Sequence, residues 1–420
     1  MKVGIIGSGG REHSLCEALS KSKKISKIYC FPGNAGTEKI AENIDINIDD
    51  FEILKNFVIS KKIELIVVGP EKPLVEGIVD FFENNNISIF GPNKLASQLE
   101  GSKIFTKKIC DEYKIPTAKF GIFENINKAK LFLNNTKFPM VVKADGLAAG
   151  KGVYICENKE NAENAIEEIF NGKFGQAKNV LLEEFIIGEE MSYFVVTDGK
   201  NIKKFETAQD HKRVGEGDIG KNTGGMGAYS PSRLINKDLD KKILDKIIHP
   251  TLNALKDMNC KYKGFLYAGL IIIKDEPYLI EYNVRMGDPE CQTILPKLKT
   301  DLLEIILGCI NRKLSEIKIE WHNKNSLCIV LCSKGYPDQY KKDMIIKNLT
   351  KINLDQNQKI YHAGTKIKNE DIVSNGGRVL NFVNLSRTFK KARESNIKLI
   401  EEINWPNGFY RKDFGFNVIE

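Results

Sequence analysis

The sequence lacks the marks of a disulfide-stapled or zinc-built domain. Its nine cysteines are scattered from Cys16 to Cys332 without a C-x-x-C pair, and its five histidines form no cluster with them at zinc-ligand spacing. A disulfide framework and a structural zinc site are therefore excluded, and a reducing compartment is expected. No uninterrupted apolar run approaches the ~20 residues that a bilayer-crossing helix needs. Met1 and Lys2 run directly into the apolar segment VGII and a glycine turn, which is no n-region of a signal peptide. A cytoplasmic location follows as the expectation. Internal repeats and low-complexity stretches are missing, and no basic stripe carries interleaved aromatics, so neither nucleic acid nor membrane is an expected partner.

What is present is a globular composition, 42% apolar and 28% charged over 420 residues, with room for two to four domains. The net charge of +8 is spread over scattered lysines such as Lys23, Lys61, Lys107 and Lys241. It reads as a solvated basic surface and fits anionic small substrates equally well.

Alternating strands and helices organise the chain. KVGIIGSGG is a buried strand and turn ahead of the helical pattern REHSLCEALSKS, and KISKIYCFPGNAG, KKIELIVVGPEKPLVEGIVDFFENN and ISIFGPN repeat the unit. This predicts an open parallel sheet with helices on both faces, ending near Pro92. One helix is predicted from about Lys94 to Tyr113, then KIPTAKF and a compact stretch up to about Glu190. The longer strands SYFVVTDGKNIKKFETA and YAGLIIIKDEPYLIEYNV follow. A polar run near Asn323 marks a smaller C-terminal unit that contains GGRVLNFV and FYRKDFG.

Several stretches carry chemistry. In GIIGSGGREH, Gly7 and Gly9 match two glycines of a dinucleotide fingerprint, but Glu12 stands where the third belongs and the second strand ends without a ribose-binding acid. Hydride transfer is thereby disfavoured. The N–H groups of Ser8 to Arg11 at the helix start can accept an anion such as a sugar phosphate, unless the glycines serve the turn alone. KADGLAAGKGV is glycine-rich and cationic, yet Gly146 and Gly150 are one position too close for a P-loop, and Gly152 replaces its hydroxyl.

In PYLIEYNVRMGDPE, strand alternation sends Glu281, Asn283 and Arg285 to one face and Ile280, Tyr282 and Val284 to the other. Carboxylate and amide oxygens suit magnesium, and arginine suits a planar carboxylate or phosphate; a solvated sheet face with Glu–Arg pairing is the alternative. LLEEFIIGEEMSYFVV offers backbone groups of Glu184 and Ile186 to an adenine edge and Glu190 to ribose hydroxyls, or merely solvated acids. The polar, glycine-rich residues 207–231 are too long for an ordinary connection and read as a lid or as disorder. Within them His211, lacking a defined partner, reads as a surface or hydrogen-bonding residue rather than a general base.

Together and in this order, GSGGREH, PGNAGT, VVGPEKPLVEGIVD, VVKADGLAAGKGV, LLEEFIIGEE, AQDHKRVGEGDIGKNTGGMGAYSP, IEYNVRMGDPE and FYRKDFG resemble the glycinamide ribonucleotide synthetases, ATP-grasp enzymes of purine synthesis. The resemblance spans nearly the whole chain. It implies an α/β and α+β multidomain fold: an N-terminal Rossmann-like domain with a parallel sheet (1–100), an ATP-grasp body whose central part is 101–120 and 191–324 and whose lid is 121–190, and a small C-terminal α+β domain (325–420). It also implies a monofunctional ligase, monomeric or weakly dimeric, joining glycine to 5-phosphoribosylamine at the expense of ATP through glycyl phosphate, with Mg2+ or Mn2+.

Carried over by position, Lys103 and Lys143 would hold phosphates beneath Gly150, Lys151 and Gly152. Glu183, Glu184 and Ile186 would meet adenine, Glu190 the ribose, and Glu281 with Asn283 the metal. Arg285, Asp288 and Asp210 would be the catalytic substrate contacts, with Asp210, Arg285 and the turn of Gly9, Gly10 and Arg11 binding the aminosugar phosphate. The strand before the metal pair has no carboxylate between Lys263 and Lys274, which puts a three-ligand, two-metal arrangement in doubt. A carboxylase acting on a purine precursor and a non-catalytic nucleotide sensor remain as alternatives.

Overall fold

The N-terminal sheet is parallel throughout, built from β1 (Lys2–Gly7), β2 (Lys27–Pro32), β3 (Glu42–Asn43), β4 (Leu65–Val68) and β5 (Ile89–Phe90) in the order β3-β2-β1-β4-β5. Val3, Ile5, Ile6, Leu65 and Ile66 are fully buried, as continuous apolar strands are when helices cover both faces. The strand order reverses beside β1, so a ligand crevice opens at its C-terminal end, where the helix Gly10–Ser20 begins. The computed structural model describes residues 1–147, 152–175 and 177–419.

The single helix expected over Lys94 to Tyr113 is two helices, Gln98–Gly101 and Lys103–Glu112. They part at Ser102, whose extended backbone lets its hydroxyl accept from the Phe105 N–H at 3.1 Å as an N-cap. The break puts Lys103 in the first helical turn. Next come β6 (Phe120–Phe123), β7 (Met140–Ala144), β8 (Val153–Cys156) and β9 (Val180–Glu184), an antiparallel sheet in the order β6-β9-β7-β8. Two helices, Ile126–Leu133 and Lys159–Phe170, pack on it around a separate core of Ala129, Leu133, Val142, Ile166 and Leu182.

Beyond it lie β10 (Glu189–Thr197), β11 (Ile202–Lys204), β12 (Gln209–Asp210), β13 (Arg213–Gly215), β14 (Ile219–Asn222), β15 (Gly227–Ser230), β16 (Gly264–Ile273) and β17 (Glu276–Asn283). β11-β10-β16-β17 form the central sheet. The C-terminal part adds β18 (Asn325–Ser333), β19 (Gln358–His362), β20 (Thr365–Lys368), β21 (Asp371–Ser374) and β22 (Arg378–Ser386), with β12-β15-β18-β22-β19 as one sheet. Residues 207–231 are thus neither a loose lid nor disordered. β13 and β14 make a hairpin, and β15 pairs with β18 because Met226, Ala228 and Tyr229 are fully buried. Gly227 permits that approach: a Cβ there would lie 2.4 Å from the Cys328 carbonyl.

A β-bulge decides the geometry of β17. Gly269 pairs with Glu281 and Leu270 with Leu279, which leaves Ile280 without a partner. Ile280 therefore lies beside Glu281 on the crevice, contrary to strict alternation, while Leu279, Tyr282 and Val284 enter the core. All nine cysteines are buried and free. Among the described residues no helix is long and apolar enough to cross a membrane.

Candidate active site

The β7–β9 pairing brings two expected residues together. Val141 is opposite Glu183 in the ladder, so Lys143 sits diagonally across from it on the same face, and the Lys143 ammonium lies 2.8 Å from the Glu183 carboxylate. Lys107, from the Lys103–Glu112 helix, reaches the same carboxylate at 3.3 Å. Burial alone would raise the Glu183 pKa, but Lys143 and Lys107 outweigh it and hold the group below the usual carboxylate range.

Lys103, one turn earlier, donates to the Gly146 carbonyl at 2.9 Å. Asp145 accepts from the Ser102 hydroxyl and the Ile104 N–H, fastening the loop after β7 to the helix start. Burial lowers the Lys103 pKa; the Glu281 charge opposes this and the Lys143 charge adds to it. Glu281 and Lys143 thus both act on one side chain, so the lysines and the candidate metal carboxylate face a common space. Gly150 and Lys151 lie outside the described residues. The carbonyl of Gly152 accepts from the Ala144 N–H at 2.8 Å.

On the facing wall, Glu281 lines a crevice with Glu190, Ser192, Asp210, Lys212 and Tyr267. Asn283 is buried on the same face of β17. Among the described residues neither the Glu281 nor the Asn283 side chain has a hydrogen-bond or ion-pair partner, which leaves both sets of oxygens open to a hard cation. Lys212 ion-pairs with Glu190 at 2.7 Å and holds its pKa down. Burial disfavours the Lys212 charge, but Glu190, Asp210 and Glu281 outweigh it and keep the ammonium protonated. Burial pushes the Asp210 carboxyl up to about 7, with Glu290 and Glu190 adding to the shift and Lys212 resisting it. Glu290, 3% exposed, accepts from the Ser192 and Tyr267 hydroxyls at 3.1 and 3.0 Å.

The adenine-side residues stand apart from one another. The Glu183 side chain is turned to the lysines, Glu184 is exposed with its N–H donated to the Lys119 carbonyl, and Ile186 lies in the connector from β9 to β10. Arg285 does not share the Glu281 face as expected. β17 ends at Asn283, and the guanidinium turns to Glu100 at 2.6 Å and Glu71 at 3.3 Å. His211 is buried rather than on the surface, stacked on Phe416 and 3.5 Å from Asp218.

A second cluster gathers at the end of β1. Glu12 reaches back to the Gly9 N–H at 2.6 Å and takes the Arg11 Nε at 2.6 Å, so one of the four N–H groups expected to meet an anion is already occupied. Its carboxylate fills the space a dinucleotide would need: a Cβ on Gly69 would lie 2.1 Å from Glu12 Oε1. A Cβ on Gly10 would lie 2.4 Å from the Asn381 amide nitrogen and 2.6 Å from that of Gln292. Asp288 accepts from Gln292 at 2.7 Å and lies 3.4 Å from Arg378. The turn of residues 287–290 joins the two clusters, with Asp288 towards the glycine turn and Glu290 towards Asp210.

Family models cover the chain in the same order: the phosphoribosylglycinamide synthetase N domain over residues 1–100, its ATP-grasp (A) domain over 101–291 and its C domain over 326–417. The chain belongs to the phosphoribosylglycinamide synthetase family. A phosphoribosylamine–glycine ligase of Brucella melitensis is 44% identical to it, over 100% of this chain and 99% of that protein. The crystal structure of phosphoribosylamine–glycine ligase from Thermotoga maritima matches with a TM-score of 0.86 at 33% identity, over 98% of this chain and 100% of the other. Biotin carboxylase from Campylobacter jejuni shares the fold alone, with a TM-score of 0.74 at 16% identity, over 96% of this chain and 91% of the other. In this family member the ATP-grasp domain supplies the lysine wall and the Glu281–Asn283 pair, while the N and C domains close the glycine-turn cluster with Arg11, Arg378 and Asn381. Sequence reasoning assigned no role to Lys107, Lys212, Glu290, Gln292, Arg378 or Asn381. Only Lys212 and Glu290 fell within stretches already singled out for their chemistry.

Proposed function

We propose that the chain ligates glycine to 5-phosphoribosylamine, giving glycinamide ribonucleotide, ADP and phosphate in purine synthesis. A glycine carboxylate oxygen bonds to the γ-phosphorus as the bond to the ADP oxygen breaks. The amine of phosphoribosylamine then attacks the glycyl phosphate carbonyl and phosphate leaves. Such an acyl phosphate needs charge neutralisation and shelter from water more than a protein nucleophile. The observation that carries the reading is the lysine wall of the ATP-grasp domain, where the Lys143 ammonium meets Glu183 at 2.8 Å and Lys103 holds the Gly146 carbonyl of the loop after β7 at 2.9 Å.

Lys103 and Lys143 hold ATP phosphates, with Gly150, Lys151 and Gly152 over them and residues 121–190 as the lid. Glu183, Glu184 and Ile186 border the adenine and Glu190 the ribose. Glu281 and Asn283 are the fitting ligands for Mg2+ or Mn2+, which when bound neutralises phosphate charge. Asp210, poised near 7, takes the proton of the attacking amine. Gly9, Gly10 and Arg11, with Asp210 and Arg285, receive the aminosugar phosphate, Asp288 is a further substrate contact, and Glu290 joins Asp210 in the substrate cluster. The enzyme acts in the cytoplasm as a monomer or weak homodimer on small molecules, without nucleic-acid or membrane partners.

Phosphate release from ATP and Mg2+ tests this, with glycine, phosphoribosylamine, both, or bicarbonate in place of glycine. Release with glycine and phosphoribosylamine together is expected. Release that follows bicarbonate, or ATP binding without release, would contradict the ligase.

A further inference from the structure

Lys107 has no place in the reaction as described, yet it is 2% exposed and stands at the centre of the lysine wall. Its ammonium lies 3.3 Å from Glu183 Oε1, donates to the Thr117 hydroxyl at 2.5 Å and sits over the Phe120 ring, 5.3 Å from the centroid. The Thr117 hydroxyl in turn donates a hydrogen bond to the Leu279 carbonyl at 2.7 Å. Leu279 directly precedes the bulge that sets Glu281. Lys107 is therefore fixed on three sides. Lys143 holds the other oxygen of the same carboxylate at 2.8 Å and borders the loop after β7.

One buried carboxylate is thus shared by two lysines, and only one of the two is proposed to leave. A buried ion pair that loses one member strands a desolvated charge, which is far more costly than an exposed pair coming apart. If Glu183 depended on Lys143 alone, every ATP phosphate that drew Lys143 away would strand that carboxylate. We propose that Lys107 is the standing counter-ion of Glu183, a positioning residue that keeps the carboxylate paired when Lys143 turns to an ATP phosphate and so sets the affinity for the nucleotide. This rests on the reading of Lys143 as a phosphate ligand. A purely structural ion pair would have no reason to discriminate between substrates.

The test is calorimetric ATP binding with Mg2+, together with KM for glycine, for Lys107→Met in the wild-type and Glu183→Gln backgrounds. In the wild-type background the Kd for ATP rises at least about tenfold. KM for glycine moves by less than about twofold. With Gln at 183 no charge needs a partner, and Lys107→Met then changes ATP affinity by less than about twofold. Unchanged ATP affinity in the folded single variant, or an equal loss in both backgrounds, would overturn the proposal. Should Lys107→Met alone fail to fold, the doubly neutral protein compared with Glu183→Gln decides: equal affinities support it and a further loss overturns it. Because ATP binding is read directly, failure here is distinct from failure of the ligase reading, which would appear as wild-type protein that binds ATP but releases no phosphate.

Discussion

Glu281 sits opposite Gly269 in the antiparallel ladder of β16 and β17, so its carboxylate faces a strand neighbour that has no side chain. A Cβ at 269 would already lie 3.3 Å from Glu281 Cγ. β16 therefore brings no second acid to the site, and Asn283, two residues along β17, is the other oxygen donor on that face.

Glu281→Gln and Asn283→Ala should each cut glycine-dependent phosphate release by at least about 100-fold, since a cation that neutralises phosphate charge is worth several kcal/mol. Folding stability should change by no more than about 1 kcal/mol, because neither side chain has a protein partner to lose. Steady-state kinetics with a urea unfolding curve for each variant check this. Near-normal rates would remove the pair from metal binding.

Asp210 gives a pH signature. Its carboxyl titrates at 3.8 in the unfolded chain and at about 7 in the folded one, raised by burial and by Glu290 and Glu190. Between those values the folded state binds the extra proton, so this group's contribution to stability falls as pH rises from 3.8 to about 7 and is level outside that window. Asp210→Asn should therefore gain stability relative to wild type across that window and gain no more above it. Thermal melts of both proteins at pH 5, 6, 7 and 8 test the sign; a difference that stays flat or narrows with pH would refute it.

The motif FYRKDFG acts through Arg411, which is 1% exposed. Its guanidinium takes both Asp413 oxygens, at 2.9 and 2.6 Å, and also the Arg213 carbonyl at 3.2 Å and Asp218 at 2.5 Å, pinning the β13–β14 hairpin next to Lys212. Arg411→Ala strips the guanidinium from Asp218 and Asp413, which keep contacts to His211 and to the Gly217 N–H, and should destabilise the protein by about 2 kcal/mol. Hydrogen exchange should speed up first over residues 213–222. A loss below about 0.5 kcal/mol, the level of a neutral surface change, would contradict the clamp.

The parallel sheet was legible because β1, β2 and β4 are apolar runs closed by glycine turns, and the lysine and metal stretches were legible because Lys143 and Glu281 end strands with a strong pattern. Three features escaped. Ser102 breaks a helix through a capping bond that periodicity does not register. The extra residue at Ile280 defeats strict alternation, since a bulge depends on pairing with β16 and not on the strand's own sequence. Gln292 and Asn381 meet at Gly10, and Arg378 meets Asp288 beside it, only because segments distant in the chain close on each other, a contact no local pattern encodes. The 207–231 stretch looked mobile because it is polar and glycine-rich, but its short apolar end, Met226 to Tyr229, is what seats it in the C-terminal sheet.

Convergence of the lysine wall and the metal pair on one nucleotide is tested most directly by a crystal structure with Mg2+ and a non-hydrolysable ATP analogue. The expected result is a single triphosphate with the Lys143 ammonium at hydrogen-bond distance from a phosphate oxygen and a cation between Glu281 and that same triphosphate. A nucleotide seated elsewhere, or bound with Lys143 and Glu281 on opposite sides of an empty crevice, would contradict it.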